Sequence, residues 1–488
     1  VGAASTLAAL AAEVGARGLR ARVVAAGCPG PCWAAPTVTV IRPGAAAETA
    51  SRVGAGDVGA LLDAVEAGHK VEPAEVTAFF AGQRRVLIER CGMVDPGDIG
   101  DAIHRGGYAA FAAALAAGDP ATVIETVKAA GLQGRGGAYF PAAVKWEGAR
   151  RAAGEPRYLI VNGEEGEPGI FKDRHLLEGD PHRLLEGALL AAYAAGATHV
   201  YLYVHGEANL AARRLERALD GARRWGLVSR HVLGSDFSVE MEIRRGAGGF
   251  VLGEETALME SVEGRRAMPR AKPPFPVEAG LWGRPTVINN VETLFAVPLI
   301  VGRGSAWWKG LGRGHGMKCF GLSGHVRRAG LVELPMGATL RDLIEGLGGG
   351  TPEGRPLQAV LVGGPSGSLI PPRLLDEPMI PGGALSPGTG GVAALDARAS
   401  LRDVVRTLLD FNTRESCGKC TPCREGTARL RDMLDGREAG NGAPLPAGEL
   451  CEVVRLASLC GLGQAAPLSV LSGLREFPRD FAGLTGAG

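Results

Sequence analysis

Four cysteines in the last quarter of the sequence have the spacing of iron–sulfur ligands. Cys417, Cys420 and Cys423 follow a C-x2-C-x2-C pattern, and Cys460 lies further along the chain. Three closely spaced thiolates and one distant thiolate are typical of a [4Fe–4S] cluster, because the short run wraps one face of the cube and the remote thiolate completes it. Structural zinc sites usually take two separated pairs of ligands. Inert buried cysteines rarely occur three in seven residues, so the spacing predicts a one-electron carrier.

A second pair of cysteines, Cys28 and Cys32, has C-x3-C spacing and is surrounded by glycine and proline. Ligands, a redox pair and plain turn residues are all compatible with this pattern. Cys91 has no partner at ligand spacing, so it is predicted to pack in the core. The histidines, including His325, also lack a nearby partner at ligand spacing, and none is assigned to a metal.

A glycine-rich loop precedes a predicted helix within residues 131–146. Backbone N–H groups in such a loop can approach a phosphate at a helix N-terminus, and Arg135 and Lys145 would add positive charge. The loop matches neither a Walker A loop nor a G-x-G-x-x-G fingerprint. Taken alone, an ordinary turn explains it equally well.

An acidic loop follows a buried strand predicted at residues 158–161. Ligands of open α/β sheets bind at the carboxyl ends of strands. Glu164, Glu165 and Glu167 would repel one another unless something uses them, and ribose or ribityl hydroxyls are suitable donors to carboxylates. A solvated acidic surface loop is the alternative.

Three further segments complete the candidate binding region. Residues 246–256 repeat the pattern of glycines before Glu254 and Glu255, which lie at a predicted helix start. Lys-Pro-Pro-Phe-Pro at 272–276 and Thr-Val-Ile-Asn-Asn-Val-Glu-Thr at 286–293 follow.

Length and composition are typical of a large globular protein. The 488 residues are 46% hydrophobic, and this length predicts about three to five domains. Lys and Arg total 53 against 52 Asp and Glu, a balance that argues against a nucleic-acid partner. No apolar run approaches the roughly 20 residues of a membrane span, and the most apolar stretch, 184–197, predicts a buried helix. Residues 1–12 lack the basic segment of a signal peptide, and the cysteine usage fits a reducing compartment, so the predicted location is cytoplasmic.

Short strands and helices would position the candidate residues. A helical stretch is predicted at 339–347, and a second helical pattern begins at Ser400, so that the cysteine motif falls in the loop after a helix of a small bundle. Strands are predicted at 21–25, 37–41, 158–161, 319–322 and 357–362.

In this order, the loops and the cysteine motif resemble the NADH-binding flavoprotein subunit of respiratory NADH:quinone oxidoreductase and its relatives. Those relatives include diaphorase subunits of NAD-reducing or bifurcating hydrogenases and the beta subunit of NAD-dependent formate dehydrogenase. The resemblance covers about residues 80–480 and implies an α/β multidomain chain. The implied domains are a partial thioredoxin-like domain (1–70), a helical connector (71–125), a Rossmann-like FMN- and NADH-binding domain (126–315), a β-grasp domain of the SLBB type (316–397) and a helical bundle with [4Fe–4S] (398–488).

The resemblance also implies the cofactor contacts. Glu167 would be the catalytic residue that orients the nicotinamide, Phe140 and Phe275 would enclose the adenine, and Arg135 would offset phosphate charge. FMN would meet Gly134, Arg135, Gly136, Gly137, Lys145, Asn162, Glu164, Asn289 and Asn290; NADH would lie near Phe140, Glu167, Glu255 and Phe275; Glu165, Gly253 and Glu254 complete the cofactor-binding set.

The sequence departs from the family pattern at four of these loop positions. Tyr139 replaces a frequent Gly, Glu164 a frequent Asp, Phe250 a Tyr and Leu252 a Cys. These changes are expected to tune the site without abolishing it.

The implied chemistry is hydride transfer between nicotinamide C4 and flavin N5, followed by one-electron transfer to or from the [4Fe–4S] cluster. No general base is required. Cys28 and Cys32 correspond to the second half of the family's thioredoxin-like [2Fe–2S] domain. The other cysteine pair of that domain would fall before residue 1, so these two supply only part of a [2Fe–2S] site.

The partners implied are an iron–sulfur subunit and a molybdenum formate dehydrogenase or hydrogenase catalytic subunit. The sequence around Cys460 and the Cys28/Cys32 segment favour the hydrogenase and formate dehydrogenase branch. The lack of a ferredoxin-like tail after residue 488 favours formate dehydrogenase within that branch. A glutamate at position 255 near a ribose 2′-hydroxyl would disfavour NADPH. A non-catalytic electron-relay subunit is the alternative of another class.

Overall fold

The computed structural model describes residues 2–437 and 446–484. The helices are α1 (Ala3–Ala16), α2 (Val58–Glu66), α3 (Ala74–Ala81), α4 (Ile99–His104), α5 (Ala109–Ala117), α6 (Pro120–Ala130), α7 (Ala142–Arg151), α8 (Lys172–Gly179), α9 (Pro181–Ala195), α10 (Asn209–Arg224), α11 (Glu255–Val262), α12 (Pro276–Ala279), α13 (Val291–Arg303), α14 (Ser305–Lys309), α15 (Leu401–Glu415), α16 (Thr421–Leu434), α17 (Ala447–Ala457), α18 (Gly461–Ala465) and α19 (Leu468–Glu476).

The strands form three sheets. They are β1 (Val38–Val40), β2 (Glu48–Ala50), β3 (Tyr158–Gly163), β4 (His199–Val204), β5 (Glu240–Arg245), β6 (Thr286–Asn290), β7 (Met317–Gly324), β8 (Gly330–Pro335), β9 (Leu357–Val362), β10 (Ser368–Ile370) and β11 (Gly391–Asp396). Their orders are β1-β2, β5-β4-β3-β6 and β10-β9-β11-β7-β8.

The β5-β4-β3-β6 sheet is fully parallel. Parallel strands are joined by crossover helices, which cover the sheet and require apolar strands. The predicted strand at 158–161 lies within β3, whose residues Leu159, Ile160 and Val161 are buried. All four strands therefore end at the same edge of the sheet, where the candidate loops begin.

Helix α9 forms the centre of the main core, and all of its residues are buried. It confirms the buried helix predicted at 184–197. Asp180 caps its N-terminus by accepting from the Arg183 N–H and forms a buried ion pair with Arg90, at 2.7 Å from its Nε. The pairing allows this carboxylate to remain charged inside the core.

The mixed β10-β9-β11-β7-β8 sheet packs beside this domain. Strands β7 and β11 are parallel and the other pairs are antiparallel. The strands predicted at 319–322 and 357–362 are confirmed by β7 and β9. The helical stretch predicted at 339–347 is confirmed, and it includes a π-helical segment at Asp342–Leu347.

The C-terminal helices pack as a small bundle. Leu401, Val405 and Leu409 of α15 point into a buried cluster with α16, α17 and α19. The Ser400 hydroxyl caps α15 by accepting from the Asp403 N–H, as expected for a helix that begins after Ser400.

The N-terminal region corrects one expectation. Residues 37–41 contain β1, but the strand predicted at 21–25 is wrong, because these residues belong to no strand. The carbonyls of Ala25 and Ala26 instead accept from the Arg214 guanidinium, at 2.8 and 3.0 Å. A side chain thus satisfies backbone groups that a neighbouring strand would have paired.

Within the described ranges, every helix is too short or too polar to cross a bilayer.

Candidate functional site

The candidate loops meet at the carboxyl edge of the parallel sheet. The Asn162 side chain, near the end of β3, donates to the Gly253 carbonyl at 3.0 Å and accepts from the Glu164 N–H at 3.1 Å. Asn290, at the end of β6, accepts from the Glu292 N–H at 2.9 Å and caps α13. Two asparagines at neighbouring strand ends therefore hold the loops that the sequence assigns to cofactors.

The glycine-rich loop forms a close-packed cradle beside Asn290. A Cβ at Gly136 would lie 3.3 Å from the Asn290 Cβ, and a Cβ at Gly137 would lie 3.0 Å from the Thr389 side chain. Gly137 also has φ +106°, a conformation that residues with a side chain rarely adopt. Gly134 donates its N–H to the Phe140 carbonyl at 2.9 Å and closes the loop. The loop is thus shaped for a close backbone approach, which fits the phosphate of FMN.

Arg135 supports the glycine-rich loop from behind. Its guanidinium is buried and donates to the carbonyls of Gln133, His315 and Met317, and it lies 5.9 Å from the centre of the Trp308 ring. Its expected role in offsetting phosphate charge stays a prediction.

Lys145 supplies a positive charge on the cleft side. Its Nζ donates to the Glu255 carboxylate at 2.9 Å and to the Ile288 carbonyl at 3.3 Å. Lys272 approaches the other oxygen of Glu255 at 2.5 Å. Burial would raise the pKa of Glu255, but the two lysines hold it below its ordinary value. At this mouth of the cleft, Glu255 can accept a hydrogen bond from a sugar hydroxyl, and Lys145 and Lys272 can bind a phosphate.

Glu164 binds His205, which follows β4. One carboxylate oxygen pairs with the His205 Nδ1, while the other, Oε2, is buried without a hydrogen-bond partner among the described residues. An unpaired buried carboxylate oxygen is costly unless a donor reaches it. A ligand hydroxyl would satisfy this oxygen, and the predicted contact of Glu164 with FMN stays a prediction.

Glu165 and Glu254 cap helices. Glu165 accepts the N–H groups of Asp173 and Arg174, both at 2.9 Å, at the start of α8. Glu254 accepts from the Thr256 and Ala257 N–H groups at the start of α11. Burial and the Asp173 charge raise the pKa of Glu165 to about 7. These two carboxylates position helices at the cleft.

Glu167 lies in the same loop as Glu164 and Glu165, and it faces the mixed β10-β9-β11-β7-β8 sheet, which we call the β-grasp-like sheet. Burial raises the pKa of its carboxyl to about 7, opposed by the nearby hydroxyls of Thr389 and Ser366. A weakly solvated carboxylate beside two hydroxyls can orient a polar group of a ligand.

A buried charge network supports the site from behind. Lys172 pairs with Asp173 at 2.7 Å and with Glu292 at 3.1 Å, and Asp173 accepts from the Asn290 amide at 2.6 Å. Lys318 also contacts Glu292, at 3.3 Å. Burial lowers the pKa of Lys318 to about 8. This network is not evident from the sequence, because charged residues in a polar motif usually indicate an exposed loop.

Phe140 and Phe275 are exposed, whereas Asn289 is buried. Phe140 is 48% exposed and Phe275 is 52% exposed, which leaves both rings accessible for stacking. Asn289 is buried and accepts from the Trp146 indole N–H at 2.8 Å, so its side chain fixes α7 against β6.

Three departures from the family pattern have structural roles. Tyr139 has a positive φ of 53° and donates its hydroxyl to the Gly388 carbonyl at 2.7 Å. Phe250 is buried, with its ring 5.3 Å from that of Phe411. Leu252 packs in a buried cluster that includes Ile160.

The four C-terminal cysteines surround one pocket. Its lining includes Cys417, Cys420, Cys423 and Cys460. Cys420 and Cys460 precede α16 and α18 as N-terminal flanking residues. Burial raises the pKa of the Cys423 and Cys460 thiols. The thiols are not grouped as tightly as the ligands of a single ion would be, and this wider arrangement fits a [4Fe–4S] cluster.

The cluster pocket and the cleft share one segment. Phe250 and Val251 line the cysteine pocket, and the chain continues through a short 3₁₀ helix, Phe250–Gly253, to Glu254 and Glu255. The Lys419 Nζ donates to the Pro269 carbonyl at 2.6 Å across the same boundary. The cluster loop is therefore fastened to the segment that borders the cleft.

Cys28 and Cys32 lie together beside His175 of α8. The two sulfurs and a ring nitrogen of His175 are all within 4.8 Å of one another, and the Cys32 Sγ is 3.5 Å from the His175 Nε2. A hydrogen bond from Cys28 and the neighbouring imidazole lower the pKa of Cys32 to about 4, against the effect of burial. Cys91 is buried, as predicted, and lies outside this group. Sequence spacing assigns no histidine to a metal, so the position of His175 beside the two cysteines is evident only in the structure.

Family models match three parts of the chain. Residues 127–299 match the Nuo51 FMN-binding domain, residues 320–369 match the SLBB domain, and residues 403–483 match the NADH-ubiquinone oxidoreductase-F iron–sulfur binding region. FMN, NADH and a [4Fe–4S] cluster are therefore the cofactors of this chain.

Curated relatives and a solved structure extend the likeness to most of the chain. The NADP-reducing hydrogenase subunit HndC of Solidesulfovibrio fructosivorans is 41% identical over 82% of this chain and 83% of its own. The F 2 subunit of the NADH-quinone oxidoreductase of Rhizobium meliloti is 45% identical over 77% of this chain and 91% of its own. A crystal structure of NAD⁺-reducing [NiFe]-hydrogenase in the H₂-reduced state matches with a TM-score of 0.72 and 35% identity, covering 90% of this chain and 74% of the other. With its FMN-type cleft and its four-cysteine pocket, the chain belongs to the family of NAD(H)-oxidoreductase flavoprotein subunits that includes the F-type subunits of NADH-quinone oxidoreductase.

Proposed function

We propose that this chain is the beta subunit of a cytoplasmic NAD-dependent formate dehydrogenase. In that complex it exchanges electrons between NADH and a partner iron–sulfur subunit, while a molybdenum subunit acts on formate. The observation that carries the electron-transfer part is the Phe250–Glu255 segment, which lines the cysteine pocket at one end and borders the cleft at the other. One continuous stretch of backbone thus couples a nucleotide-binding cleft to a cluster site.

Different residues of the cleft contact different parts of FMN and of the nicotinamide. When bound in this cleft, FMN would supply the conversion between hydride transfer and one-electron transfer. The cradle of Gly136 and Gly137 admits its phosphate end, and the Glu164 Oε2 accepts a hydroxyl. Glu167 accepts a hydrogen bond from the nicotinamide amide, which sets the face of the ring.

The exposed rings and charges at the mouth hold the other half of the dinucleotide. Phe140 and Phe275 stack on the adenine. Glu255 accepts from a ribose hydroxyl, while Lys145 and Lys272 keep its carboxylate ionised. Orientation by fixed groups of this kind is the protein's main contribution in a cofactor enzyme.

A first experiment tests the catalytic part. We expect NADH, but not NADPH, to bleach the flavin absorbance of anaerobically purified protein and then to reduce the iron–sulfur absorbance. Protein with no flavin bands, or with no response to either nucleotide, would contradict the proposal and favour an electron-relay subunit. Glu167→Gln is expected to raise the KM for NADH with FMN retained. An unchanged KM and kcat would remove Glu167 from its proposed role.

The partner is the finer part of the proposal. It is supported by the Cys460 region and the Cys28/Cys32 segment, which resemble the hydrogenase and formate dehydrogenase branch. A hydrogenase partner is the second candidate, favoured by the names of HndC and of the [NiFe]-hydrogenase structure.

Affinity purification from the native cells decides between these partners. We expect a co-purifying subunit that contains molybdenum, and NAD⁺ reduction that depends on formate. Nickel in the complex and NAD⁺ reduction driven by H₂ would identify the complex as a hydrogenase and not as a formate dehydrogenase. Neither metal, combined with quinone reduction by NADH, would indicate the respiratory assembly.

A further inference from the structure

Two distant segments of the chain bring three metal-binding side chains together. Cys28 and Cys32 belong to a loop of the N-terminal region, whereas His175 belongs to α8 beside the flavin cleft. All three ligand atoms lie within 4.8 Å of one another. Local sequence spacing cannot show this group, because 143 positions separate Cys32 from His175.

The described residues do not form a complete [2Fe–2S] site. Each iron of such a cluster binds two bridging sulfides and two protein ligands, so the four protein ligands divide into two pairs at opposite ends. Cys28 and Cys32 would supply one of those pairs. Among the described residues they are grouped with a single histidine and not with a second pair of ligands.

The distances fit one tetrahedral ion. With zinc bonds of about 2.3 Å to sulfur and about 2.0–2.1 Å to nitrogen, two tetrahedral ligands of these types are about 3.5 Å apart. The Cys32 Sγ and the His175 Nε2 are separated by 3.5 Å. The positions of these two side chains thus need little adjustment to share a zinc ion.

The surroundings orient the ligands in the way zinc sites do. The His175 Nδ1 lies 2.9 Å from the Phe171 carbonyl, so that nitrogen carries the proton and Nε2 faces the sulfurs. The Gly30 N–H points to the Cys28 Sγ at 3.4 Å, and such a donor stabilises a metal-bound thiolate. His175 is only 7% exposed, while both cysteines are half-buried.

We propose that Cys28, Cys32 and His175 bind a zinc ion, with water or an added ligand at the fourth position. The loop that carries the cysteines is already joined to β8, because Gly30 accepts from the Leu331 N–H at 2.9 Å. The ion adds a bond from this loop to α8. The ion thereby fastens the N-terminal region to the helix whose first residues contact Glu165 and Asn290.

Metal analysis of the full-length protein, purified anaerobically, tests the site. We expect about one zinc ion per chain in addition to the iron and sulfide of a single [4Fe–4S] cluster. Cys28→Ser, Cys32→Ser and His175→Gln should each lose the zinc while iron, sulfide and FMN stay at the wild-type level. Cys91→Ala is the matched control, since Cys91 is a buried cysteine nearby that lies outside the group, and it should keep the zinc.

Three results would overturn the proposal. Wild-type protein without zinc but with the iron and sulfide of an additional cluster would assign the cysteines to a [2Fe–2S] site. Wild-type protein without either metal, whose two thiols are titrated only after reduction, would indicate a disulfide pair. Zinc that survives His175→Gln and both cysteine substitutions would belong to another site.

Cobalt substitution keeps the test valid if a variant folds poorly. Wild-type protein loaded with Co²⁺ in place of zinc should show the absorption of a tetrahedral thiolate site. A spectrum without thiolate-to-cobalt bands would count against the site without recourse to any substitution.

Discussion

The Phe250 backbone N–H donates to the Glu415 carboxylate at 2.8 Å. Glu415 is the last residue of α15 and precedes Cys417 by two positions, whereas Phe250 begins the segment that leads to the cleft. Together with the bond from Lys419 to the Pro269 carbonyl, this hydrogen bond joins the cluster loop to the segment that borders the cleft.

Glu415→Ala is expected to slow electron transfer to the cluster more than hydride transfer to the flavin. The substitution leaves the half-buried Phe250 N–H without its partner and should cost about 1–3 kcal/mol locally. Stopped-flow spectroscopy with NADH separates flavin bleaching from cluster reduction. Glu425→Ala is the control, because Glu425 is exposed and pairs with Arg424 at the surface. Equal rates of cluster reduction in both variants would contradict a coupling role for Glu415.

Cys460→Ala is expected to remove the [4Fe–4S] cluster and to leave FMN in place. The cluster loses one of the four thiolates around its pocket, while the cleft is built from other loops. Iron and sulfide content and the electron paramagnetic resonance of reduced protein measure the loss. Cys451→Ala is the matched control, because Cys451 is buried within α17 and does not line the pocket. A cluster that persists in the Cys460 variant would exclude this residue as a ligand.

Tyr139→Phe is expected to lower the affinity for FMN. It removes the hydroxyl that bonds to the Gly388 carbonyl at 2.7 Å, and a hydrogen bond of this type contributes about 0.5–1.5 kcal/mol. The bond joins the glycine-rich loop to the β-grasp-like sheet, so its loss should loosen the cradle. Fluorescence titration of FMN into flavin-free protein gives the dissociation constant. Wild-type affinity would show that the loop is held without this bond.

The buried carboxyl of Glu167 should make stability depend on pH. Burial raises its pKa to about 7, so between pH 4.5 and 7 the folded protein keeps a proton that the unfolded chain loses. The free energy of unfolding should therefore fall as pH rises through this window, by up to roughly 3 kcal/mol from this group. Lys172 opposes the shift and Asp173 adds to it.

Glu167→Gln should remove this share of the pH dependence. Urea unfolding at pH 5 and pH 8 measures the slope, and Glu425→Gln serves as the exposed control. A slope equal to that of the wild type would place the Glu167 carboxylate in a more solvated environment than the structure does.

The sequence predicts the elements of the fold better than the directions of its side chains. The buried strand at 158–161 and the helix after Ser400 are confirmed, because apolar periodicity reports burial along one segment. The strand expected at 21–25 is wrong, since pairing is a property of two segments, and Arg214 from a distant helix satisfies Ala25 and Ala26 instead.

The same difference between elements and side chains holds for the candidate site. Glycine and glutamate patterns identify the loops that meet at the edge of the sheet. They do not show which partner each charged side chain contacts. Arg135 looks like a phosphate ligand in sequence, yet its guanidinium is bonded to three carbonyls behind the loop. The pairing of His175 with Cys28 and Cys32 depends on how the N-terminal region packs on α8, which no local pattern encodes.

Glu255 is expected to set the preference for NADH over NADPH. Its carboxylate lies between Lys145 and Lys272, at 2.9 and 2.5 Å, and the lysines keep it ionised. In this position it would accept from a ribose 2′-hydroxyl and repel a 2′-phosphate. Glu255→Gln removes the repulsion and frees two cations. We expect the transition-state stabilisation of NADPH relative to NADH to improve by about 1.4 kcal/mol or more, which raises kcat/KM for NADPH relative to NADH at least tenfold.

Steady-state kinetics with both nucleotides measure this ratio, and the gain should shrink as salt rises, because the freed lysines act through charge. Glu242→Gln is the control, since Glu242 is a surface carboxylate on β5 that pairs with Arg244. If Glu255→Gln lowered kcat/KM for both nucleotides by the same factor, Glu255 would support binding without discriminating the 2′-position. A preference that changed only through the KM for NADH would indicate that the carboxylate holds the hydroxyl but does not exclude the phosphate.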